Sequence, residues 1–270
     1  MIKKDTQGVT FAKGFTAAGV KAGIKKSGNL DVAVIYTKTQ AVVAGTFTQN
    51  KVAAAPVYVS KEVVATGTAH AIVANAGCAN ACTGQQGLDD AHKMAQIAAD
   101  ELGVNADDVI VGSTGVIGVN LPMDKLEAGI KDAVANLSAD GSGNAGRAII
   151  TTDTHSKSVT CEFELSGKTV RMGAIAKGSG MIRPNMATML CYITTDIAID
   201  QALLQKAVSG CVEKSFNMIS VDGDMSTNDM VIVLANGEAN NAKITEENAD
   251  YQIFFDKLMM LCTELAKQIA

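Results

Sequence analysis

At 270 residues, 47% apolar and 19% charged, the chain can bury a sizeable core, and length alone leaves one or two domains open. A net charge of -5, with Lys and Arg scattered, offers no electrostatic footprint for a phosphate backbone and sets nucleic acid aside as a partner. No apolar stretch approaches the roughly 20 residues a membrane span needs, and Met1 to Gly8 carries charge without the apolar core of a secretory signal, so the expected location is the cytoplasm, with no membrane partner. The six cysteines lie mostly among apolar neighbours, as reduced buried thiols do, and predict no disulfide framework. With no Trp, 4% aromatics and 25 glycines, packing must rest on Ala, Val and Ile and on close backbone approach.

In chain order, β-branched runs predict strands at Asp31 to Tyr36, Ala41 to Phe47 and His70 to Ala74. A helical pattern follows from Leu88 to Leu102, with Asp89 and Asp90 placed in its first turn, then a strand at Val109 to Gly112 and a helix from Met123 to Leu137. Gly141 to Gly146 reads as a loop, followed by strands at Ala148 to Thr152, Val159 to Leu165, Thr169 to Ala176 and Leu190 to Thr195. Asp200 is the expected N-cap of a helix from Gln201 to Phe216, and Met230 to Ala235 is a further strand. A last helix from near Thr245 places Tyr251, Phe254, Leu258, Leu261, Leu265 and Ile269 on one apolar stripe; it meets no Gly or Asn cap, which predicts further C-terminal sequence. Adjoining strands without intervening helices require antiparallel pairs, so the class is mixed α/β (α+β) rather than doubly wound.

The densest chemistry lies between Lys177 and Asp196. Gly178 and Gly180 permit unusual backbone, Pro184 fixes φ, and Thr188 carries a hydroxyl next to the Ala187 carbonyl. An N-to-O acyl shift followed by hydrolysis would cut the Ala187–Thr188 bond and free an α-amine, of pKa about 7.7 to 8.0, to serve as general base for the same hydroxyl. On chemistry alone the plainer reading, a Gly-rich turn before a buried strand with an incidental threonine, is favoured.

The wider sequence reverses that balance. Met186-Ala-Thr-Met-Leu190 resembles the self-cleavage signature of the ornithine acetyltransferases, the bifunctional glutamate N-acetyltransferases. Asn75 to Gly84, Gly112 to Gly118 with Leu121 to Met123, Thr151-Thr-Asp-Thr154 and Ser220 to Asp229 resemble further family motifs in the same order. The resemblance implies a layered sandwich of mixed sheets flanked by helices, and a precursor divided into an alpha region, 1–187, and the start of a beta region, 188–270. It implies a heterotetramer of two alpha and two beta chains. Thr188 would be the nucleophile, Thr114 and Gly115 the oxyanion hole, and Thr154, Lys177 and Thr188 the substrate-binding residues. The implied reaction is ping-pong transfer of acetyl from N²-acetylornithine to glutamate through acetyl-Thr188, within arginine biosynthesis. No cofactor is expected, and acetyl-CoA stays open as a second donor.

Two positions depart from the family pattern: Ser156 stands where Pro is usual, and Met225 where Thr is usual. The family's acidic substrate residue in a Glu-Gly-Ala-Thr stretch, and its C-terminal Asn and Thr, are not found in these residues. Two rivals follow: an aminopeptidase or amidase of the same self-cleaving fold, and an inactive truncated subunit.

Other signals fail on inspection. Asp222 to Asp229 lacks the sixth-position Gly and twelfth-position Glu of a calcium loop and reads as a polar turn supporting the site. Cys78 and Cys82 form one C-x₃-C without spaced histidines, so no metal is expected. Arg183 occupies the last glycine position of a dinucleotide fingerprint, and neither a P-loop nor a G-x-S-x-G elbow occurs.

Overall fold

A computed structural model describes residues 7–181 and 189–270, together with the backbone of residues 2–3. The described elements run β1 (Ile2–Lys3), β2 (Phe15–Val20), β3 (Val32–Phe47), α1 (Ala55–Thr66), β4 (Thr68–Cys78), α2 (Gly84–Leu102), β5 (Val109–Val116) and α3 (Met123–Ala135). They continue with α4 (Ser142–Ile149), β6 (Lys157–Leu165), β7 (Lys168–Lys177), β8 (Leu190–Thr195), α5 (Gln201–Glu213), β9 (Met230–Ala235) and α6 (Ala249–Ile269). Among the described residues, no helix is long and apolar enough to cross a membrane.

The strands form one hydrogen-bonded sheet in the order β1-β6-β7-β8-β9-β3-β4-β5, with β2 also on β3. The expected class holds, with one refinement: the two layers belong to a single continuous sheet that β3 joins. Its register shifts between Tyr36 and Ala41. Before the shift β3 pairs with β2, and after it with β9. Among the described strands, only β4 with β5 and β8 with β9 run parallel, and α2 and α5 make those crossovers.

Sequence periodicity explains the layers. Val231 and Val233 of β9 join Phe254 and Leu258 of α6 in an outer core, while Ile232 and Leu234 join Ile72 and Ile110 in an inner one. Val73, Val109 and Val111 face Met94 of α2 and Ile130 of α3 in the second outer core. Strands buried on both faces read as continuous apolar runs because alternate side chains enter different cores.

Three local expectations are corrected, and one helix appears where none was expected. Gly141 to Gly146 is mostly helix α4, because Ala145, Ala148 and Ile149 recur at helical spacing and are buried in the inner core. The strand expected at Ala148 to Thr152 is the end of that helix and a turn. Gly141 is required there, since a Cβ would overlap the Ala17 carbonyl of β2. Helix α1 hides in a β-branched run whose Pro56 suits a first helical turn. Asp200 stands at the N-cap of α5 but its carboxylate pairs with Lys243 and makes no cap bond. The cap of α6 is instead Asn248, whose Oδ1 accepts from the Tyr251 N–H at 3.0 Å.

Candidate active site

A pocket of about 680 Å³ opens where the ends of β4, β5 and β7 meet the segment before β9. Its walls include Lys25, Thr114, Gly115, Thr151, Thr152, Lys177 and Asn228. Gly115 is at φ +133°, and a Cβ there would press on the backbone of Gly77 and Cys78, so glycine is needed for the two strand ends to approach. Behind it, Ser113 Oγ donates to Asn75 Oδ1 at 2.6 Å, and Asn75 Nδ2 donates to the Cys78 carbonyl at 2.9 Å.

Lys177 ends β7 and is only 3% exposed. Its Nζ donates to Thr114 Oγ1 at 3.3 Å, which leaves the Thr114 hydroxyl hydrogen to point elsewhere. Burial pushes the Lys177 ammonium down from its usual pKa, while the charges of Asp153 and Asp229 oppose that shift and Lys157 adds to it. Opposite Lys177 in the ladder is Leu190, the first residue of β8.

Two buried carboxyls frame this lysine. Asp153 accepts from Lys157 Nζ at 2.7 Å, the Gly178 N–H at 2.7 Å and the Thr151 N–H at 3.2 Å. Burial acts to raise its pKa, but the Lys157 and Gly178 hydrogen bonds and the nearby lysine charges win, so it lies below the usual carboxylate range. Asp229, 1% exposed, accepts from the Met189 N–H at 2.9 Å. Its Oδ2 has no hydrogen-bond partner among the described residues. Burial pushes Asp229 up to about 8, against the Met189 N–H, Ser226 and the Lys177 charge.

A third buried aspartate shapes the rim. Asp31 accepts from the N–H groups of Ala22, Ile24 and Lys25 at 2.6, 2.6 and 2.9 Å. The loop so wrapped brings Lys25 to the pocket, where its Nζ is held by the carbonyls of Leu30 and Ala148.

Of the residues expected from sequence, Thr114, Gly115 and Lys177 converge in this pocket. Thr154 does not: it is exposed, with Oγ1 3.1 Å from His155 Nδ1, and the same motif sends Thr151 and Thr152 into the pocket instead. The Asp153 carboxylate turns the loop that way by holding Thr151 and Gly178. Ala187 and Thr188 lie outside the described residues. Sequence reading assigned no role to Asp31 or to Asp153 within its motif, and took Asp229 only as the end of a polar turn supporting the site; the available signal was a lone acid flanking an apolar run, as Asp229 flanks Met230 to Ala235.

A profile of the ArgJ family matches residues 16–270. The arginine biosynthesis bifunctional protein ArgJ of Symbiobacterium thermophilum is 51% identical over 265 residues, covering 97% of this chain and 66% of that protein. The chain spans about two thirds of the length of the curated relatives it matches. The crystal structure of ornithine acetyltransferase complexed with ornithine from Mycobacterium tuberculosis is 40% identical with a TM-score of 0.63, covering 70% of this chain and 100% of that chain. The L-aminopeptidase D-Ala-esterase/amidase of Ochrobactrum anthropi, described as a variant among the Ntn hydrolase fold, matches with a TM-score of 0.59 over 98% of this chain and 86% of its own. At 12% identity that likeness concerns the fold alone.

Proposed function

This chain belongs to the ArgJ family, and from that premise we propose that it is part of a precursor that cuts itself between Ala187 and Thr188 and then carries acetyl on Thr188. The observation that carries the reading is the Lys177 to Thr114 hydrogen bond of 3.3 Å, made on the wall of a pocket that Gly115 also lines by the ladder partner of β8's first residue. In the first half-reaction the Thr188 hydroxyl attacks the acetyl carbonyl of N²-acetylornithine, and the Thr188 α-amine takes the hydroxyl proton and returns it to the departing ornithine amine. The developing oxyanion faces the Thr114 hydroxyl, polarised from behind by the Lys177 ammonium; such a donor is worth about 3 kcal/mol of barrier. Glutamate then attacks the acetyl ester to give N-acetylglutamate. A Lys177 donor not spent on Thr114 meets the substrate α-carboxylate, and Thr151 and Thr152 stand in the place the sequence gave to Thr154.

The matched Mycobacterium chain is wholly covered by 70% of this chain, about 189 of its 270 residues, a length close to that of the proposed piece 1–187. Once cut, the two pieces stay together because β7 and β8 pair along six positions, Met172 with Thr195 through Lys177 with Leu190. Two of each piece would form the heterotetramer.

N-terminal sequencing of the full-length protein is expected to find a fragment beginning at Thr188, and labelled acetyl should pass from N²-acetylornithine to glutamate. Thr188→Ala should leave one uncut chain without transfer, while Thr188→Ser keeps some cutting. A folded wild type that stays intact and transfers nothing overturns the reading, and hydrolysis of peptides without transfer favours the aminopeptidase-like rival. Acetyl-CoA in place of acetylornithine tests the second donor, and sedimentation tests the assembly.

A further inference from the structure

Strands β5 and β8 are not neighbours in the sheet, so no backbone ladder sets the distance between Thr114 and the head of β8. Something else must hold them in register if both serve one reaction. Asn228 and Asp229, adjacent residues just ahead of β9, reach both sides. Asn228 Nδ2 donates to the Ser113 carbonyl at 2.8 Å and to the Ala79 carbonyl at 2.6 Å. The Asp229 carboxylate accepts the Met189 N–H at 2.9 Å, and the Met189 carbonyl accepts from the Met230 N–H at 3.1 Å. Ser113 immediately precedes Thr114, and consecutive Cα atoms are about 3.8 Å apart, so each grip acts one peptide unit from a residue of the proposed reaction.

The bridge is itself braced. Asn228 Oδ1 accepts from Thr227 Oγ1 at 2.6 Å, and the Asn228 N–H donates to Ser226 Oγ at 3.1 Å. The Asp229 carbonyl accepts from the Thr48 N–H at 2.9 Å, and Thr48 Oγ1 donates to the Ser226 carbonyl at 2.8 Å. Both side chains are buried, at 6% and 1% exposure, so water does not compete for these bonds.

We infer that Asn228 and Asp229 are positioning residues, a two-residue splint that sets the head of β8 against the oxyanion strand across the two layers of the fold. The inference rests on the reading of Thr188 and Thr114 given above. Cutting at Ala187–Thr188 leaves the splint whole: Asp229 grips its own fragment, and Asn228 reaches across to the other. Misplacement of about 1 Å at such a site costs on the order of 10²-fold in rate, so loss of the splint is expected to fall on kcat.

The test uses the full-length protein. Asp229→Ala is expected to slow self-cleavage and, once cut, to lower kcat about 10- to 100-fold with KM held within about threefold. Asp229→Asn keeps an acceptor for the Met189 N–H and should restore most of kcat. Asn228→Ala should show the same kcat-selective loss. Amide hydrogen exchange gives a readout independent of activity: Asp229→Ala should speed exchange at Met189, whereas Thr114→Ala should not. A folded Asp229→Ala with wild-type kcat and wild-type Met189 exchange overturns the inference, as does an Asp229→Asn as impaired as the alanine variant. If Asp229→Ala does not fold, Asn228→Ala decides through its kcat and its Ser113 to Thr114 exchange. A wild type that neither cuts nor transfers defeats the Thr188 reading, while Met189 exchange still decides the splint.

Discussion

Asp153 and Asp229 are both buried and both act on Lys177, yet their acidities move in opposite directions. Asp153 has a lysine and two backbone N–H groups on its oxygens, so its charged form is better satisfied inside the protein than outside. At Asp229 burial outweighs the Met189 N–H, the Ser226 side chain and the Lys177 charge, and Oδ2 has no hydrogen-bond partner among the described residues, so its value is held up at about 8. Partner count and depth together separate a structural anion from a group able to change charge near neutral pH.

The comparison breaks most visibly at Asp153. Asp153→Ala strands the Lys157 ammonium, 3% exposed, and should cost about 3–5 kcal/mol of unfolding free energy in urea titrations. Asp229→Asn, by contrast, removes an acid that the unfolded chain ionises at pH 7 but the folded protein holds protonated, so it should not destabilise at that pH and is expected to raise the unfolding free energy in the same titrations.

Lys177 stands between the two acids, and what it holds is Thr114. Thr114→Ala should slow acetyl transfer by roughly 10² to 10³ while leaving substrate affinity nearly unchanged, with cleavage still occurring. Steady-state kinetics on the cleaved variant measures this, and near-wild-type kcat would mean that Thr114 only shapes the strand end.

The two acids should also sign the pH dependence of stability oppositely. Asp153, depressed below 3.8, contributes stability that is present above about pH 4 and is lost as pH falls through its folded value. Asp229, raised from 3.8 to about 8, binds its proton more tightly when folded, so its contribution is present at low pH and declines as pH rises from about 4 to about 8. Denaturant midpoints between pH 5 and 9 should therefore fall more steeply for wild type than for Asp229→Asn.

The smallest expected effect sharpens the pair. Lys177→Met removes a cation that helps hold Asp229 down and should raise its titration midpoint, followed by carboxyl NMR. Asp153, secured by hydrogen bonds to Lys157 and Gly178, should move less.

The α/β class, the bounds of β8 and β9 and the apolar stripe of α6 could be read from the residues alone, as could Thr114, Gly115 and Lys177 as candidates, which the fold brings to one pocket. These were legible because alternation, helical spacing and a dense motif are local properties of the chain. Tertiary structure decided the rest. Gly141 to Gly146 became mostly helix because Ala145, Ala148 and Ile149 bury in the inner core, with Gly141 kept small by the Ala17 carbonyl of β2, and α1 formed in a β-branched run whose Val57 and Val63 are buried in the same core. Thr151 and Thr152, rather than Thr154, reached the pocket because a carboxylate two residues away bonds Gly178 at the end of another strand. Asp229 gained its raised pKa from burial, and with Asn228 its place between β5 and β8, by the packing of two layers. Burial and long-range hydrogen bonds join residues far apart in the chain, and no local pattern records which partners they will meet.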